Sequence, residues 1–526
     1  MNKFSHHDLF LTTLSPIHIG SGLDYEPTQF IFDDHSSSLP VLYVFDPAQA
    51  KLAPEQSQQL LQACQKGSNQ SVYNCFKRLQ DAFIAASRKI IPCEPHAAKR
   101  FLVKALDNID VKFSSKGKIY IQRTQFEDTP QRYAPYIPGS SLKGVIHTAL
   151  FQRHLRAAVH GGLPHELDHQ LLNGTMNASP MSLLSVADMR AQGNVMTAIS
   201  RANRYYKQVD KVAEFPQFFE SISLGQYRAM HGSVNIAEPS GLPNTPDPEY
   251  CYKSAQEIIA DLNAYYRPIL DKEITLFNRI ASTRAWTQEF EKLRRALNDK
   301  IQANELAIIR IGKNSGAESL VLQGKGVAKI QVRTSRTQKQ EMDHTTTFNA
   351  SEEGFNHQRA AIPFGWAVLE LDPKGENSVL STWCEAVKAK SYLSEICLSD
   401  LYEALAKKKE QVHRKHLEVL QEVKNRRLKA EQEARQEQLR QEKLATMSEN
   451  LQALEQLASR LESAADAKPG TDLNTQTFEL VSRAQTWPKP EQKQTAARIR
   501  PFMKSKKLNE GKRGKELKKL LSELES

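Results

Sequence analysis

Residues 136–150 read Tyr-Ile-Pro-Gly-Ser-Ser-Leu-Lys-Gly-Val-Ile-His-Thr-Ala-Leu, and this stretch predicts a helix that begins behind a glycine loop. Pro138 and Gly139 interrupt the preceding structure, and the hydroxyl of Ser140 or Ser141 can cap the helix. Apolar side chains then recur at helical spacing, namely Leu142, Val145, Ile146, Ala149 and Leu150. One face of the helix is therefore expected to pack into a core.

The opposite face of this helix starts with Lys143 and with the free amides of the first turn. Backbone N–H groups at a helix start, small residues and one lysine together suit the binding of a phosphate group. An ordinary capped junction between a loop and a helix would leave the same pattern. The residues alone leave both interpretations open.

Two further glycine-containing segments carry similar groups. Ser15–Gly22 reads Ser-Pro-Ile-His-Ile-Gly-Ser-Gly, in which Gly20 and Gly22 permit a close backbone approach. Its His18 could stack on a base, bind a phosphate, act as a general base or be an ordinary hydrogen-bonded side chain. Ile309–Gly316 reads Ile-Arg-Ile-Gly-Lys-Asn-Ser-Gly and departs from the order of a Walker loop. Its amides, lysine and hydroxyl suit a nucleic-acid backbone, and a tight turn is the alternative.

A polar and basic run, Gln323–Gly326, has Lys325 near its centre and is followed by Lys329, Arg333 and Arg336. Few aromatic side chains accompany these cations. The run therefore suits contacts with phosphate better than stacking on bases.

Composition narrows the class of protein. The chain has 526 residues, of which 40% are hydrophobic and 25% are charged, as expected of a soluble protein of two or three domains. Neither a membrane-spanning run nor the apolar core of a signal peptide is evident, so we expect a cytoplasmic protein. The six scattered cysteines match neither a zinc site nor a disulfide framework.

The positive charge is concentrated near the C-terminus. Residues 401–526 carry 27 Lys and Arg against 19 Asp and Glu, and residues 491–520 alone carry 11 against 3. This local excess of positive charge indicates that residues 491–520 could bind a polyanion. Phosphate contacts elsewhere must come from local groups.

Strand-like and helix-like segments alternate without a regular βαβ repeat, which predicts an α+β fold. Val111–Phe126 suggests a hairpin, and the polar Thr334–Gln358 suggests a flexible connection. Leu401–Ala465 lacks proline and glycine and predicts one long helix or a helical hairpin. Its second half has the four-and-three spacing of a coiled-coil seam, which needs a partner helix in this chain or another: Met447, Leu451, Leu454, Ala458, Leu461 and Ala465.

Signals for catalysis are weak. No Ser-His-Asp arrangement is evident, and Asp33-Asp34 is more typical of a solvated turn than of a metal pair. His165–His169 reads His-Glu-Leu-Asp-His, which matches the zinc-protease pattern, with Glu166 as the base. However, its Gly-Gly-Leu-Pro lead-in indicates a loop, and a third ligand is missing. We therefore predict no catalytic residue, metal or cofactor.

Three segments in this order, Leu14–Gly22, Tyr136–Gly144 and Ile309–Ser319, resemble RAMP-superfamily proteins of CRISPR systems. Within that superfamily they are most similar to the family of fifth Csm subunits of type III-A effector complexes. Pro363–Trp366, which reads Pro-Phe-Gly-Trp, adds to the similarity. The resemblance covers about residues 8–372 and leaves the tail outside.

The resemblance implies two ferredoxin-like, RRM-related modules with helical insertions, at residues 1–236 and 250–398. We expect a long helix or coiled coil at residues 399–468 and a basic helical tail at residues 469–526. The resemblance also implies an RNA-binding subunit that caps the 3′ end of the crRNA and supports crRNA maturation and antiviral interference. Implied partners are the crRNA, target RNA, the backbone RAMP subunit, the small helical subunit and host nucleases, without a membrane or an active site.

Residues carried over by position would touch the RNA backbone, and with Gly22 and Lys325 they form the predicted RNA-binding set: His18, Gly20, Ser21, Gly139, Ser140, Ser141, Lys143, Gly312, Lys313, Ser315 and Gly316. The family often has arginine where His147 stands, so one phosphate contact becomes weaker or dependent on pH.

Two questions stay open at the level of sequence. Some RAMP relatives cleave RNA without a metal, and His18 would then act as the general base on a 2′-hydroxyl. The tail could clamp RNA, dock the small helical subunit or serve as a solvated spacer.

Overall fold

The computed structural model describes residues 4–33, 39–107, 109, 121–129, 133–157, 176–209, 211–212, 217–242, 244–324, 330–333 and 338–526. The chain forms two compact units, residues 1–416 and residues 417–526. The first unit contains the sheets, and the second is helical. Among the described residues, no helix combines the length and the apolar character needed to cross a membrane.

The strands, in chain order, are β1 Phe4–Thr13, β2 Gly20–Tyr25, β3 Phe30–Asp33, β4 Val41–Phe45, β5 Ser87–Pro92, β6 Ile121–Thr124, β7 Phe126–Asp128, β8 Tyr133–Ile137, β9 Leu184–Val186, β10 Met189–Ala191, β11 Thr197–Tyr206, β12 Gln217–Ile222, β13 Gln226–Ala237, β14 Leu306–Arg310, β15 Ile330–Arg333, β16 Lys339–Met342, β17 Thr347–Phe355, β18 Gln358–Pro363 and β19 Trp366–Leu371.

The helices are α1 Pro54–Gln65, α2 Asn69–Arg78, α3 Gln80–Ala85, α4 Pro95–Ala97, α5 Val103–Leu106, α6 Gly139–Ala157, α7 Ala255–Arg279, α8 Ala281–Ala296, α9 Asn298–Gln302, α10 Ser378–Lys390, α11 Leu398–Ala445, α12 Glu449–Ser463, α13 Asp472–Ala484, α14 Lys489–Ile499, α15 Phe502–Ser505 and α16 Gly511–Glu525.

Two large sheets organise the first unit. One has the order β14-β19-β1-β13-β10-β8-β7, with β9 also paired to β13, and the other has the order β18-β17-β11-β12-β6-β2. Mixed strands and helices agree with the expected α+β class. Each sheet combines strands from residues 1–236 with strands from residues 250–398, because β19 pairs antiparallel with β1 and β17 pairs with β11. The division expected between these ranges therefore does not separate the sheets.

The main core combines side chains of both large sheets with those of the helices α6, α7 and α8. Leu9 and Leu11 of β1 project into it, and so do Trp286 of α8 and Trp366 of β19. The Trp286 indole donates a hydrogen bond to the carbonyl of Leu14 at 3.0 Å. The helix layer is thereby fixed to the point where β1 ends and the first glycine loop begins.

The start of α6 differs in detail from the expectation. Gly139 is already helical, and the amides of Ser141 and Leu142 donate to the carbonyl of Pro138 at 2.9 and 3.4 Å. Ser140 and Ser141 therefore lie in the first turn and do not cap it. The Gly139 amide donates instead to the Asp188 carboxylate at 2.7 Å. A cap supplied from a distant part of the chain leaves no local sequence signal.

The polar stretch expected to be flexible is largely a strand. Within β17, Ser351, Glu352 and Glu353 are all buried. Glu352 forms an ion pair with Arg201 of β11 at 3.2 Å, and Ser351 donates to Glu353 at 2.6 Å. Residues 351–353 therefore lack the apolar alternation of a half-buried strand. They can be buried because Glu352 pairs with the neighbouring strand and Ser351 bonds to Glu353 within the same strand.

The region expected as a hairpin, Val111–Phe126, is described only from residue 121. There β6 pairs parallel with β12 and antiparallel with β2, so its partners are distant strands. The part from residue 111 to residue 120 lies outside the described residues.

The second unit shows what the predicted seam packs against. The long helix α11 ends at Ala445, and the Ser448 hydroxyl caps a new helix, α12. The side chains of α12 that are buried are Leu454, Leu457, Ala458 and Leu461. They pack with apolar side chains of α13, α14 and α16 in one cluster, while Ala465 is exposed. The partner surface thus lies within residues 472–525, and the seam is one side of a small helical core.

Burial gives Glu353 an unusual protonation state. Desolvation raises the pKa of this carboxyl from 4.5 to about 8, with the neighbouring Glu94 adding to the effect. The folded state therefore holds a proton that the unfolded state releases between these pH values. The contribution of protonated Glu353 to the free energy of unfolding is complete at low pH, and it is lost as the pH rises through about 8.

We expect Glu353→Gln to remove this part of the pH dependence, because the amide stays neutral at every pH. Above pH 8 the variant should be more stable than the wild type, by an amount on the order of a few kcal/mol. Urea unfolding measured from acid to alkaline pH would test it, with the exposed Glu376→Gln as the control. Parallel stability curves for wild type and Glu353→Gln would contradict this prediction.

Candidate nucleic-acid interface

Two of the three predicted glycine loops lie side by side. The amide of Lys313 donates to the carbonyl of His18 at 2.8 Å, and the two residues form an isolated antiparallel bridge. Gly312 makes this approach feasible, since its φ is +93° and a Cβ there would lie 2.6 Å from the His18 oxygen. A side chain at this position would therefore push the loops apart.

The Pro-Phe-Gly-Trp segment between β18 and β19 joins both loops. The Gly365 amide donates to the Pro16 carbonyl at 2.9 Å, and the Gly365 carbonyl accepts from the Ile311 amide at 2.9 Å. The Trp366 amide donates to the Ser15 hydroxyl at 2.8 Å. This segment therefore holds the first and third loops in register. The sequence suggested a closing strand here and gave no sign of this bridging role.

The exposed cation of the joined loops is Lys313. Its ammonium donates to the Gln122 side chain at 2.6 Å and lies 5.8 Å from the centre of the Phe219 ring. Gly20 and Gly22 of the first loop are also exposed. An ammonium has three donors, so further hydrogen bonds to an anionic ligand are available.

His18 lies beneath this surface. Its side chain is fully buried, and its Nδ1 lies 2.7 Å from the Glu220 carbonyl. Within the described part of the chain, its Nε2 has no hydrogen-bond partner. Burial lowers the pKa of the imidazole, so the ring is neutral at pH 7. In this arrangement the ring packs edge-on against Phe219 and is not presented for stacking on a base.

A buried polar cluster supports His18 from below. Lys89 forms an ion pair with Glu220, and the hydroxyls of Tyr25 and Thr197 donate to the same carboxylate at 2.9 and 2.8 Å. All four residues are buried. A buried charge pair of this kind requires well-placed hydrogen bonds on both partners. Its members lie far apart in the chain, and sequence reasoning did not identify them.

The second predicted loop in chain order, at the start of α6, has less free donor capacity than expected. The Gly139 amide is engaged by Asp188, as described above. The Lys143 ammonium donates to the Leu184 carbonyl at 2.7 Å, and desolvation lowers the pKa of this lysine. Ser140 is exposed and Ser141 is half-buried, so these hydroxyls remain at the surface.

Gln125 connects the first loop with the strand that leads into α6. Its amide donates to the Ile19 carbonyl at 2.7 Å, and its side chain donates to Gly20 at 3.3 Å. Tyr136 donates to Gln125 through its amide and its hydroxyl, each at 3.3 Å. Gln122 and Gln125 thus belong to the interface, and an isolated glutamine offers no sequence signal.

The end of the third segment is fixed inside the protein. Ser315 is buried, and Gly316 is half-buried. Just beyond them, Glu318 forms an ion pair with Lys207 at 2.6 Å and accepts two bonds from Thr345 at 2.7 Å. These contacts lower the pKa of Glu318 to about 2, against the effect of its burial. Ser315 is therefore placed to support the loop and not to touch a ligand.

Of the remaining predicted groups, Ser21 lies between the exposed Gly20 and Gly22, and His147 lies on α6. Ser21 is half-buried and donates to the Arg123 carbonyl at 3.0 Å. His147 is exposed, with its ring centroid 4.3 Å from that of Phe151. Lys325 and the His165–His169 motif lie outside the described residues. Across the described ranges, no group of three or more His, Cys, Asp and Glu side chains could hold a metal ion.

We expect Gly312→Ala to destabilise the first unit by about 2 kcal/mol or more, because the new methyl group combines a positive φ with a backbone clash. Gly22→Ala is the matched control, since Gly22 also has a positive φ but a Cβ there meets nothing within 4 Å. Urea unfolding of both variants would measure the difference. An equal decrease in the free energy of unfolding for both variants would show that the close approach of Gly312 to His18 does not affect stability.

Comparison with known proteins gives consistent matches. The chain is 25% identical over 366 residues to the Csm5 protein of Streptococcus thermophilus, covering 64% of this chain and 85% of that protein. It also matches the crystal structure of T. onnurineus Csm5 at 13% identity and a TM-score of 0.38, over 69% of this chain and 99% of that one.

A further match is a chain of a Csm-crRNA-target RNA ternary complex of a type III-A CRISPR-Cas system, at 16% identity and a TM-score of 0.33, over 70% of this chain and 100% of that chain. The family model of the RAMP superfamily matches residues 10–315. Since this match covers more than half of the sequence, the chain belongs to the RAMP superfamily.

Proposed function

We propose that this chain is an RNA-binding subunit of a type III-A Csm effector complex, which caps the 3′ end of the crRNA and supports crRNA maturation. The observation that carries the proposal is the pairing of His18 with Lys313, which creates one surface with an exposed lysine and exposed glycines. Membership of the RAMP superfamily and the similarity to Csm5 support the same assignment. The expected neighbours are the backbone RAMP subunit and the small helical subunit, with target RNA and host nucleases as further partners.

The chemistry of this surface favours phosphate over bases. Lys313 offers an ammonium, and Gly20 and Gly22 let a strand of RNA approach the backbone closely. Phe219, whose ring centre lies 5.8 Å from the Lys313 ammonium, is buried and unavailable for stacking. Contacts of this type position a guide RNA independently of its sequence and weaken as salt rises.

We expect Lys313→Ala to weaken crRNA binding up to about tenfold and to reduce the dependence of log K on log salt by roughly 0.7, because one phosphate contact is lost. Lys143→Ala should weaken binding too, partly through loss of its bond to Leu184. Fluorescence anisotropy with labelled crRNA at several salt concentrations would measure both effects.

The matched control is Lys374→Ala. This lysine is exposed and follows the last residue of β19, Leu371, which pairs with Leu9 of β1. The first loop follows the opposite end of β1, so Lys374 lies at the other end of this strand pair. Protection of the crRNA 3′ end from a 3′→5′ exonuclease, in complexes assembled with wild type and with Lys313→Ala, tests the capping role. Unchanged affinity and unchanged protection in Lys313→Ala would refute the proposal.

We further propose that the subunit has no nuclease centre of its own. A general base must reach the proton that it removes, whereas His18 is buried and its Nδ1 is bonded to a backbone carbonyl. Purified protein incubated with repeat RNA in EDTA is therefore expected to leave the RNA intact. Cleavage by the wild type that disappears in His18→Ala would instead establish a metal-independent endoribonuclease.

A further inference from the structure

The helical unit, residues 417–526, lies beyond the residues matched by the RAMP family and has its own core. Leu454, Leu461, Val481, Ile499 and Leu521 are buried together in it. The function proposed above does not use this unit. Its surface is strongly basic near the C-terminus, where residues 504–519 contain eight Lys and Arg and two Glu.

Five lysines of this segment are exposed and have no ion pair within the described part of the chain: Lys504, Lys507, Lys512, Lys515 and Lys518. Their basic neighbours are engaged. The Lys506 ammonium donates to the Glu462 carbonyl at 3.1 Å, and Lys519 pairs with Glu523 at 3.8 Å. Arg513 donates to Thr475 at 3.2 Å. We name the five exposed lysines the lysine cluster.

Local packing places the segment that carries Lys504 and Lys507 against the start of α16. A Cβ on Gly514 would lie 2.3 Å from the carbonyl carbon of Asn509, so the turn before α16 folds tightly against its first turns. The Asn509 amide donates to the Met503 carbonyl at 3.2 Å, which closes this turn. Lys504 and Lys507 are thereby held beside the start of the helix.

Helical spacing orders the remaining members. Lys512, Lys515 and Lys518 follow one another at intervals of three, so they share one side of α16. Leu517 and Leu521 point to the opposite side and are buried. The cluster therefore faces away from the core of the unit, with its charges in solvent.

We propose that the lysine cluster binds the phosphate backbone of RNA independently of sequence, as a second RNA contact of this chain. Several unpaired ammonium groups on a short surface match the regular charges of a nucleic-acid strand. A membrane surface would require an apolar face beside the charges, whereas Phe502, Leu508 and Leu524 of this segment are buried.

The test uses the full-length chain and an oligouridylate, with Lys512→Gln, Lys515→Gln and Lys518→Gln combined in one variant. Loss of three phosphate contacts should weaken binding about tenfold and lower the salt slope by roughly 2, at about 0.7 per contact on a single strand. The matched control combines Lys424→Gln, Lys429→Gln and Lys443→Gln, which remove the same charge from exposed positions of α11. The control should keep its affinity within about twofold.

Lysine-to-arginine changes at positions 512, 515 and 518 should retain the affinity, which separates loss of charge from loss of fold. Unchanged binding in the glutamine variant, or an equal loss in the control, would overturn the proposal. Competition by polyglutamate as effective as by oligouridylate, per charge, would assign the surface to acidic proteins and overturn the RNA assignment. Because Lys313 lies in the other unit, combining Lys313→Ala with each variant distinguishes failure of this proposal from failure of the proposed function.

Discussion

The pairing of β1 with β19 is the constraint on which the candidate interface depends. These two strands come from opposite ends of the first unit, and β14 lies on the other side of β19. Their ends therefore bring Ser15, Ile311 and Gly365 to one place, where backbone hydrogen bonds of about 2.9 Å fix the loops. A loop held in this way is ordered by the protein itself, so binding of the proposed RNA would lose less conformational entropy. Gly312 and Gly365 are the close contacts of the arrangement, since a Cβ on either would lie about 2.5 Å from a backbone oxygen of the neighbouring loop.

Buried polar groups explain why parts of this fold are hard to read from sequence. The Lys89–Glu220 pair lies beneath the first loop, and Arg201 and Glu352 pair across two strands. Charges buried in this way destabilise the protein unless each one meets a partner, so they fix which strands can be neighbours. The same groups make β17 look like a flexible polar connection, because hydrophobic alternation identifies only strands with one apolar face.

The two units illustrate different relations between charge and position. In the first, 49 Lys and Arg stand against 43 Asp and Glu over 416 residues, so the proposed phosphate contact depends on a few placed groups such as Lys313. In the second, the local excess of lysines is visible in the composition, and both the helical spacing in α16 and the packing of Gly514 against Asn509 arrange them. In the first unit, packing also removes a potential phosphate contact. The Gly139 amide, which the sequence left available for phosphate, donates to the Asp188 carboxylate instead.

The sequence by itself determined the mixed α+β class, the helix that follows Pro138, the three glycine segments and the basic terminus, because local propensity and spacing carry these signals. It also indicated the superfamily through motifs in those segments. Only the tertiary structure decided that His18 is buried, that Gln122 and Gln125 join the interface, and that the apparent coiled-coil seam closes on helices of its own chain. Each of these outcomes depends on contacts between residues far apart in the chain, and local pattern carries no information about such partners.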